Sequence, residues 1–248
     1  MCSDANALAQ RSAERIVELA ENSVAEHGVF TIALSGGDTP APTYRLLGGE
    51  LGRSMPWDRV HVFWGDERCV PLARPDSHFT MATELMLSHV PIPPENIHRA
   101  HGESDDPQAA AARYETELRA FFRSPRSGFP EFDLVLLGMG EDGHIASLFP
   151  GSPGLAQRDR WVTDHYVIKR GERVRRLTLT MPVLAAARDV MVLVSGNLKA
   201  EMLGAVIQGQ PDVPAAELAA TAASICWMID SEAAAVLDPT AMTVEGDA

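Results

Sequence analysis

One histidine, His144, follows an apolar run and three glycines in the stretch Asp133–Pro150, DLVLLGMGEDGHIASLFP. The run is typical of a strand buried on both faces, and glycines let the backbone turn tightly beside a ligand. Because open α/β sheets bind ligands at the carboxyl ends of their strands, we expect His144 at such a site. An imidazole there can act as a general base near neutral pH, and Asp142 could orient it.

A second segment, Thr31–Leu47 (TIALSGGDTPAPTYRLL), runs from a strand into a helix. Thr39 is a favourable N-cap, and Pro40 suits the first helical position. Free backbone amides at a helix start bind anions, phosphate above all, although an ordinary strand–helix turn would read the same. Asp38 would repel a phosphate, so it must point away or bond to the backbone. The predicted anion-binding residues are Ser35, Gly36, Gly37 and Thr39.

Charged residues follow a third strand in Val60–Pro71, VHVFWGDERCVP. The run Asp66-Glu67-Arg68 could be a solvated loop. The functional interpretation has Arg68 facing an anionic oxygen, oriented by a neighbouring acid, with Asp66 in the same substrate site.

Two further cations are candidates for binding an anion. Arg176 ends the basic stretch Lys169–Arg176 and starts the alternating strand RLTLT, although such a stretch is often solvent decoration. Lys199 falls in the first turn of the helix after Ser195-Gly196-Asn197. A lysine there is unfavourable for the helix dipole, and a bound anion would offset this.

The glycines of Gly138–Gly143 spell GxGxxG. A dinucleotide fingerprint requires a full helix after the glycines and then a strand with an acid. Pro150 arrives too soon for that helix, so the pattern does not predict nucleotide binding. The chain also contains no convincing nucleophilic serine elbow, which favours direct attack by water.

Alternating strands and helices position these residues. The pattern predicts an α/β fold: a mainly parallel sheet flanked by helices, in a single domain over 1–248 with a frayed tail at about 239–248. Helices are predicted over Ala5–Glu26, Pro40–Leu51, Ser77–His89, Asp106–Arg123 and Leu198–Gln208. Strands are predicted over Val29–Leu34, Val60–Trp64, Phe132–Leu137, Trp161–Ile168, Arg176–Thr180, Val190–Val194 and Ile225–Ile229.

Composition narrows the class of protein. The net charge of −13 over 248 residues argues against a nucleic-acid surface, so an anionic substrate needs a local basic pocket. No segment is apolar and long enough to cross a bilayer, and the amino terminus does not resemble a signal peptide. Three scattered cysteines, Cys2, Cys69 and Cys226, favour a reduced cytoplasmic compartment.

Five motifs, in this order and spacing, resemble the glucosamine-6-phosphate isomerase/6-phosphogluconolactonase family, on its lactonase side. They are SGGDTP, WGDERCVP, GMGEDGHIASLFPG, RRLTLT and SGNLKA, and the closing ICWMIDSEAAA is similar as well. The resemblance covers nearly the whole chain, and DGHxASLFP is its most specific part.

The resemblance implies a modified Rossmann-like domain that hydrolyses 6-phospho-D-glucono-1,5-lactone in the oxidative pentose phosphate pathway. It implies His144 as the general base, with Asp142 and Arg68 in the catalytic group. The phosphate would meet the Ser35–Thr39 loop, Arg176 and Lys199. Neither metal nor organic cofactor is implied. We expect a monomer or weak homodimer whose partner is the phosphorylated sugar lactone, with no nucleic acid or membrane.

Two departures from the family pattern stand out. Where the family usually has Asp-Ser-Asn-Tyr after its DER motif, Asp76–Phe79 read Asp-Ser-His-Phe, so His78 replaces the usual asparagine. Asp38 replaces a frequent serine.

Two alternative functions differ from the lactonase in testable features. An amino-sugar phosphate deaminase or isomerase of this family has a glutamate shortly after the histidine, where Ser147–Phe149 carry no acid. A non-catalytic sugar-phosphate sensor would need a DNA-binding helix-turn-helix and usually a basic face.

Overall fold

The computed structural model describes residues 1–123, 128–169, 171–210 and 212–238. The predicted frayed tail lies outside them. The strands are β1 (Phe30–Leu34), β2 (Val60–Trp64), β3 (Asp66–Arg68), β4 (Leu134–Gly138), β5 (Val162–Lys169), β6 (Glu172–Leu179), β7 (Asp189–Val194) and β8 (Ile225–Ile229). The α-helices are α1 (Ala5–His27), α2 (Ala41–Leu47), α3 (His78–Leu85), α4 (Pro107–Phe121), α5 (Met181–Ala185), α6 (Ala200–Ile207) and α7 (Pro214–Thr221).

Five strands form one parallel sheet in the order β2-β1-β4-β7-β8. The predicted mainly parallel sheet is thereby confirmed. β4 lies between β1 and β7, and its apolar residues are buried, as expected of a strand covered on both faces. The carboxyl ends of parallel strands meet at one edge of the sheet. The loops after β1, β2, β4 and β7 therefore converge there.

The second sheet is antiparallel, three-stranded and ordered β3-β6-β5. The sequence predicted strands at β5 and in the second half of β6, but neither β3 nor a separate antiparallel sheet. β6 begins at Glu172, so Arg176 lies well inside this strand rather than at its start. Gly65 joins the two sheets: its N–H donates to the Leu34 carbonyl (2.8 Å), and its carbonyl accepts from the Leu179 N–H (2.8 Å).

Helix ends differ from the prediction where capping differs. The N-cap of α2 is Pro40, with no side-chain hydrogen bond, so the expectation that Thr39 is the cap was wrong. The same helix ends at Leu47, with Gly48 as its C-cap, rather than at Leu51. In α3, by contrast, the Ser77 hydroxyl caps the first turn. Helix α7 was not predicted.

The core consists of two apolar clusters on opposite faces of the parallel sheet. Along β4, Leu134 and Leu136 pack into one cluster, and Val135 and Leu137 into the other. Each fully buried side chain of this size contributes roughly 1.5–3 kcal/mol to folding, so the central strand holds both layers together. Within the described ranges, no helix is long and apolar enough to span a membrane.

Candidate active site

The loop after β4 folds back on itself to present His144. Isolated antiparallel bridges join Met139 to Ile145 and Ile145 to Leu148. The Gly140 N–H donates to the His144 carbonyl (2.9 Å). Gly143 has a φ of 76°, a left-handed conformation that favours glycine. The chain therefore reverses within ten residues and leaves the His144 side chain at the sheet edge.

His144 and Asp142 form a hydrogen-bonded pair. The imidazole Nδ1 lies 2.5 Å from Asp142 Oδ1, and the same oxygen accepts from the His144 backbone N–H (3.2 Å). The ring stacks on Phe149, with centroids 4.0 Å apart. With its proton on Nδ1, a neutral His144 keeps its Nε2 lone pair for accepting a proton.

Gly140 provides the space for this pair. A Cβ atom at that position would fall 2.1 Å from His144 Nδ1 and 2.7 Å from Asp142 Oδ1. Burial alone would raise the pKa of Asp142, but the hydrogen bonds from His144 and its positive charge outweigh burial, and the pKa lies below its ordinary value. Asp142 is therefore a carboxylate at neutral pH.

Two arginines face each other on adjacent strands of the second sheet. Arg68 in β3 is the register partner of Arg176 in β6. The buried Arg68 Nε has no hydrogen-bond partner, and neither guanidinium is within 4.0 Å of a carboxylate in the described part of the chain. Burial and then the charge of Arg68 lower the pKa of Arg176, which is 7% exposed. Like charges placed opposite each other are destabilising, and a bound anion would offset that cost.

Asp66, in β3, links the second sheet to the loop that carries His144. The Ser147 hydroxyl donates to Asp66 Oδ2 (2.6 Å), and the Ser147 N–H donates to Thr178 Oγ1 (3.4 Å). Burial would raise the pKa of Asp66, but the charge of His78 and the hydrogen bonds from His78 and Ser147 hold it well below its usual range. Asp66 thus supports the site from within, where the sequence analysis had it binding substrate.

The loop after β1 carries an unsatisfied hydroxyl. Ser35 is buried, and its Oγ has no hydrogen-bond partner in the described structure. The Tyr44 hydroxyl accepts from the Ser35 N–H (3.2 Å) and donates to the Ser35 carbonyl (2.7 Å). Gly37 has a φ of 101°, and Asp38 is exposed. The backbone is therefore fixed from the core side, while the buried Ser35 Oγ keeps an unused hydrogen-bonding capacity.

The loop after β7 is held by a carboxylate. Asp230 accepts hydrogen bonds from Ser195 Oγ (2.5 Å) and from the N–H groups of Gly196 (3.2 Å) and Ala233 (2.8 Å). This loop fixes the backbone of Lys199, which precedes α6 in a 3₁₀ turn.

Lys199 joins the loops after β1 and β7. Its Nζ donates to Thr39 Oγ1 at 3.5 Å. Burial lowers the pKa of Lys199, while the carboxylates of Glu141, Asp230 and Asp38 oppose this change. The loops after β1 and β7 therefore meet across the end of β4, and a cation lies between them.

The structure thus brings the predicted residues together in three groups: His144 with Asp142, Arg68 with Arg176, and Lys199 with Thr39. Sequence reasoning missed the supporting residues Ser147, Tyr44 and Asp230. Their partners lie 81, 9 and 35 positions away, and only Tyr44 lies in a segment that had been singled out as an anion loop.

Known proteins share this architecture. The family model described as glucosamine-6-phosphate isomerases/6-phosphogluconolactonase matches residues 3–227. A 6-phosphogluconolactonase from Synechocystis sp. is 41% identical over 219 residues, covering 88% of each chain. A 6-phosphogluconolactonase from Nostoc sp. is 39% identical, covering 94% of this chain and 95% of the relative. The structure of 6-phosphogluconolactonase from Trypanosoma brucei matches with a TM-score of 0.84 at 29% identity, covering 96% of this chain and 97% of that one.

Proposed function

The chain belongs to the family of glucosamine-6-phosphate isomerases and 6-phosphogluconolactonases, and from this premise we propose that His144 is the general base of its lactonase reaction. The reaction is hydrolysis of 6-phospho-D-glucono-1,5-lactone to 6-phospho-D-gluconate in the pentose phosphate pathway. The observation that carries the proposal is the His144–Asp142 pair at the edge where the anion-binding loops converge. The match to the family model and to the lactonase relatives confirms the family resemblance seen in the sequence.

His144 activates water in the first step. The Nδ1 proton is held by Asp142, so Nε2 accepts a proton from the water whose oxygen attacks the lactone carbon C1. The carbonyl electron pair moves to its oxygen and forms a tetrahedral intermediate. The bond from C1 to the ring oxygen then breaks, and the His144 imidazolium returns its proton to that oxygen. General base catalysis of this kind contributes about 10²–10⁴-fold.

The site must stabilise two negative groups: the phosphate of the substrate and the lactone oxygen that becomes negative during attack. Arg176, Lys199, the Ser35 hydroxyl and the amides of Gly36, Gly37 and Thr39 take the phosphate. Arg68 stabilises the oxygen that becomes negative during attack. The two arginines are register partners on neighbouring strands. This placement supports the proposal that one small molecule contacts both, with its phosphate at Arg176 and its reacting oxygen at Arg68. Phosphate binding positions the lactone through a group remote from the bond that breaks.

No observation in the structure favours the two alternative functions. The positions at which a deaminase of this family would carry its acid have other roles here: Ser147 donates to Asp66, and Phe149 stacks on His144. The net charge of −13 argues against the second alternative, because a sensor that acts on DNA usually has a basic face.

The protein works as a monomer or weak homodimer in the cytoplasm, without a metal, an organic cofactor, nucleic acid or a membrane. The net charge of −13 supports the absence of a nucleic-acid partner. The free thiols of Cys2 and Cys69 support a reducing compartment. Light scattering at micromolar and millimolar concentrations checks the oligomeric state. Prolonged treatment with a chelator should leave the lactonase rate unchanged.

Two lactones test the function directly. Freshly made 6-phosphogluconolactone should be hydrolysed far faster than unphosphorylated glucono-1,5-lactone, because only the former engages Arg176 and Lys199. In the matched variant Arg176→Ala, the ratio of the two hydrolysis rates should be smaller than in the wild type. Equal rates for both lactones with the wild-type chain would contradict the phosphate site, and ammonia release from glucosamine 6-phosphate would favour the deaminase.

A further inference from the structure

A second histidine, His78, is buried beneath the first anion loop. It begins α3 directly after the capping residue Ser77 and is 5% exposed. Its ring Nδ1 lies 3.0 Å from the Asp66 carbonyl oxygen and 3.3 Å from Asp66 Oδ1. Both of these atoms are acceptors, so Nδ1 carries a proton and donates it to Asp66.

The opposite edge of the ring faces the loop. Nε2 of His78 is buried and has no hydrogen-bond partner among the described residues. A Cβ atom at Gly36 would fall 1.9 Å from Cδ2 and 2.2 Å from Nε2 of this ring. Gly36 therefore rests directly on the imidazole, next to the equally unsatisfied hydroxyl of Ser35.

The groups that surround His78 favour its charged form. Burial alone would lower its pKa, but the charge of Asp66 and the hydrogen bond to it outweigh burial and raise the pKa above the ordinary value. Glu67, which accepts the His78 backbone N–H, acts in the same direction, and Arg68 opposes it. In the loop above, Ser35, Gly36 and Gly37 carry no charge, and Asp38 is exposed.

We propose that His78 is a positioning residue. Its imidazolium, held by Asp66, lies beneath Gly36 and stabilises the Ser35–Gly37 loop in the conformation that receives the substrate's phosphate. Substrate binding therefore weakens when this ring loses its proton, while the chemical step at His144 is unaffected. The inference rests on the proposed function, because the anion concerned is the phosphate of the lactone and of its product.

Binding of 6-phosphogluconate measured by calorimetry tests this without catalysis. The product is stable in base, unlike the lactone, and between pH 7 and 9.5 its phosphate is already a dianion. His78→Asn keeps a hydrogen-bonding side chain but removes the charge. It should bind about tenfold more weakly at pH 7, the loss expected for one nearby charge at intermediate dielectric. Its affinity should also lack the alkaline decrease of the wild type.

Lys199 also titrates on the alkaline side, so Lys199→Met must retain the alkaline step that His78→Asn removes. The exposed His89, whose Nε2 contacts the Glu84 carbonyl, supplies the control His89→Asn, which should bind like the wild type. In lactone assays, His78→Asn should raise KM with kcat within about twofold, since positioning affects binding rather than the barrier.

Wild-type affinity in His78→Asn, an unchanged pH profile, or a fall in kcat with constant KM would each overturn the inference. If that variant does not fold, the ¹⁵N shifts of the wild-type ring decide, because a His78 pKa at or below its ordinary value also overturns the inference. A wild-type chain that binds 6-phosphogluconate but does not hydrolyse the lactone would remove the proposed function and leave the role of His78 standing.

Discussion

The proposed catalytic pair, His144 with Asp142, and the arginine pair, Arg68 with Arg176, are held in place by different means. His144 and Asp142 are two positions apart, and their geometry is fixed by hydrogen bonds within one loop. Arg68 and Arg176 are joined only by the register of two antiparallel strands. One half of the site is thus a local structure at the end of the parallel sheet, and the other depends on distant chain segments pairing correctly.

This difference predicts how the two halves respond to mutation. A change in the loop alters the reactive group and leaves the binding cations in place, so it lowers kcat. A change at Arg176 removes a charge that acts on the bound phosphate, so it raises KM. The clearest tests separate these two kinetic signatures.

The largest effect is expected from His144→Ala. Removal of the general base should lower kcat by about 10²–10⁴-fold while 6-phosphogluconate binds almost as tightly as before. Lactone hydrolysis and product calorimetry on the same preparation measure both quantities. A variant with full activity would exclude His144 as the base.

Arg176→Ala should show the opposite signature. Loss of a charge-assisted contact to phosphate, worth about 1.5–3 kcal/mol, raises KM by roughly 10–100-fold. Arg176→Lys keeps the charge without the planar fork and should recover only part of the affinity. If Arg176→Ala changed kcat alone, the assignment of Arg176 to phosphate binding would be wrong.

Asp142→Asn is expected to have a smaller effect on kcat, of about tenfold, since the imidazole remains but its orientation and tautomer are less well fixed. The pair needs the carboxylate, and the pKa of Asp142 is already below its ordinary value. Its contribution should therefore persist through neutral pH and be lost only as the pH falls through that lowered pKa. A wild-type kcat for Asp142→Asn would show that the loop backbone alone positions His144.

The smallest effect should come from a histidine pair outside both halves. His61 Nδ1 lies 3.1 Å from His98 Nε2, and His98 Nδ1 lies 2.7 Å from Glu117. Burial and then the charge of His98 lower the pKa of His61, so its contribution to stability is present above its unfolded pKa and lost as the pH falls below it.

Between pH 7.5 and 5.5 the wild-type Tm should therefore fall further than that of His61→Phe, because only the wild type takes up a proton at this position on unfolding. Kinetic parameters at pH 7.5 should match in both proteins. An identical fall in Tm would show that this pair does not contribute to the pH dependence.

The sequence predicted what is local and missed what is distant. The strand, glycines and histidine of Asp133–Pro150 fall within one stretch, so the position of His144 could be predicted before the structure was known. β3 could not, because a strand of three charged residues carries no apolar alternation and is stabilised only by pairing with β6. The bond between Ser147 and Asp66 spans 81 positions and depends on that same pairing.

The carboxylates around Lys199 have a consequence for turnover. Asp38, Glu141 and Asp230 all influence this cation, in a chain of net charge −13. Hydrolysis turns a neutral lactone ring into an open chain with a carboxylate, so the molecule leaves with one more negative charge than it brought. The same acidic surroundings repel the product more strongly than the substrate, and electrostatic repulsion thereby favours emptying the site after each reaction.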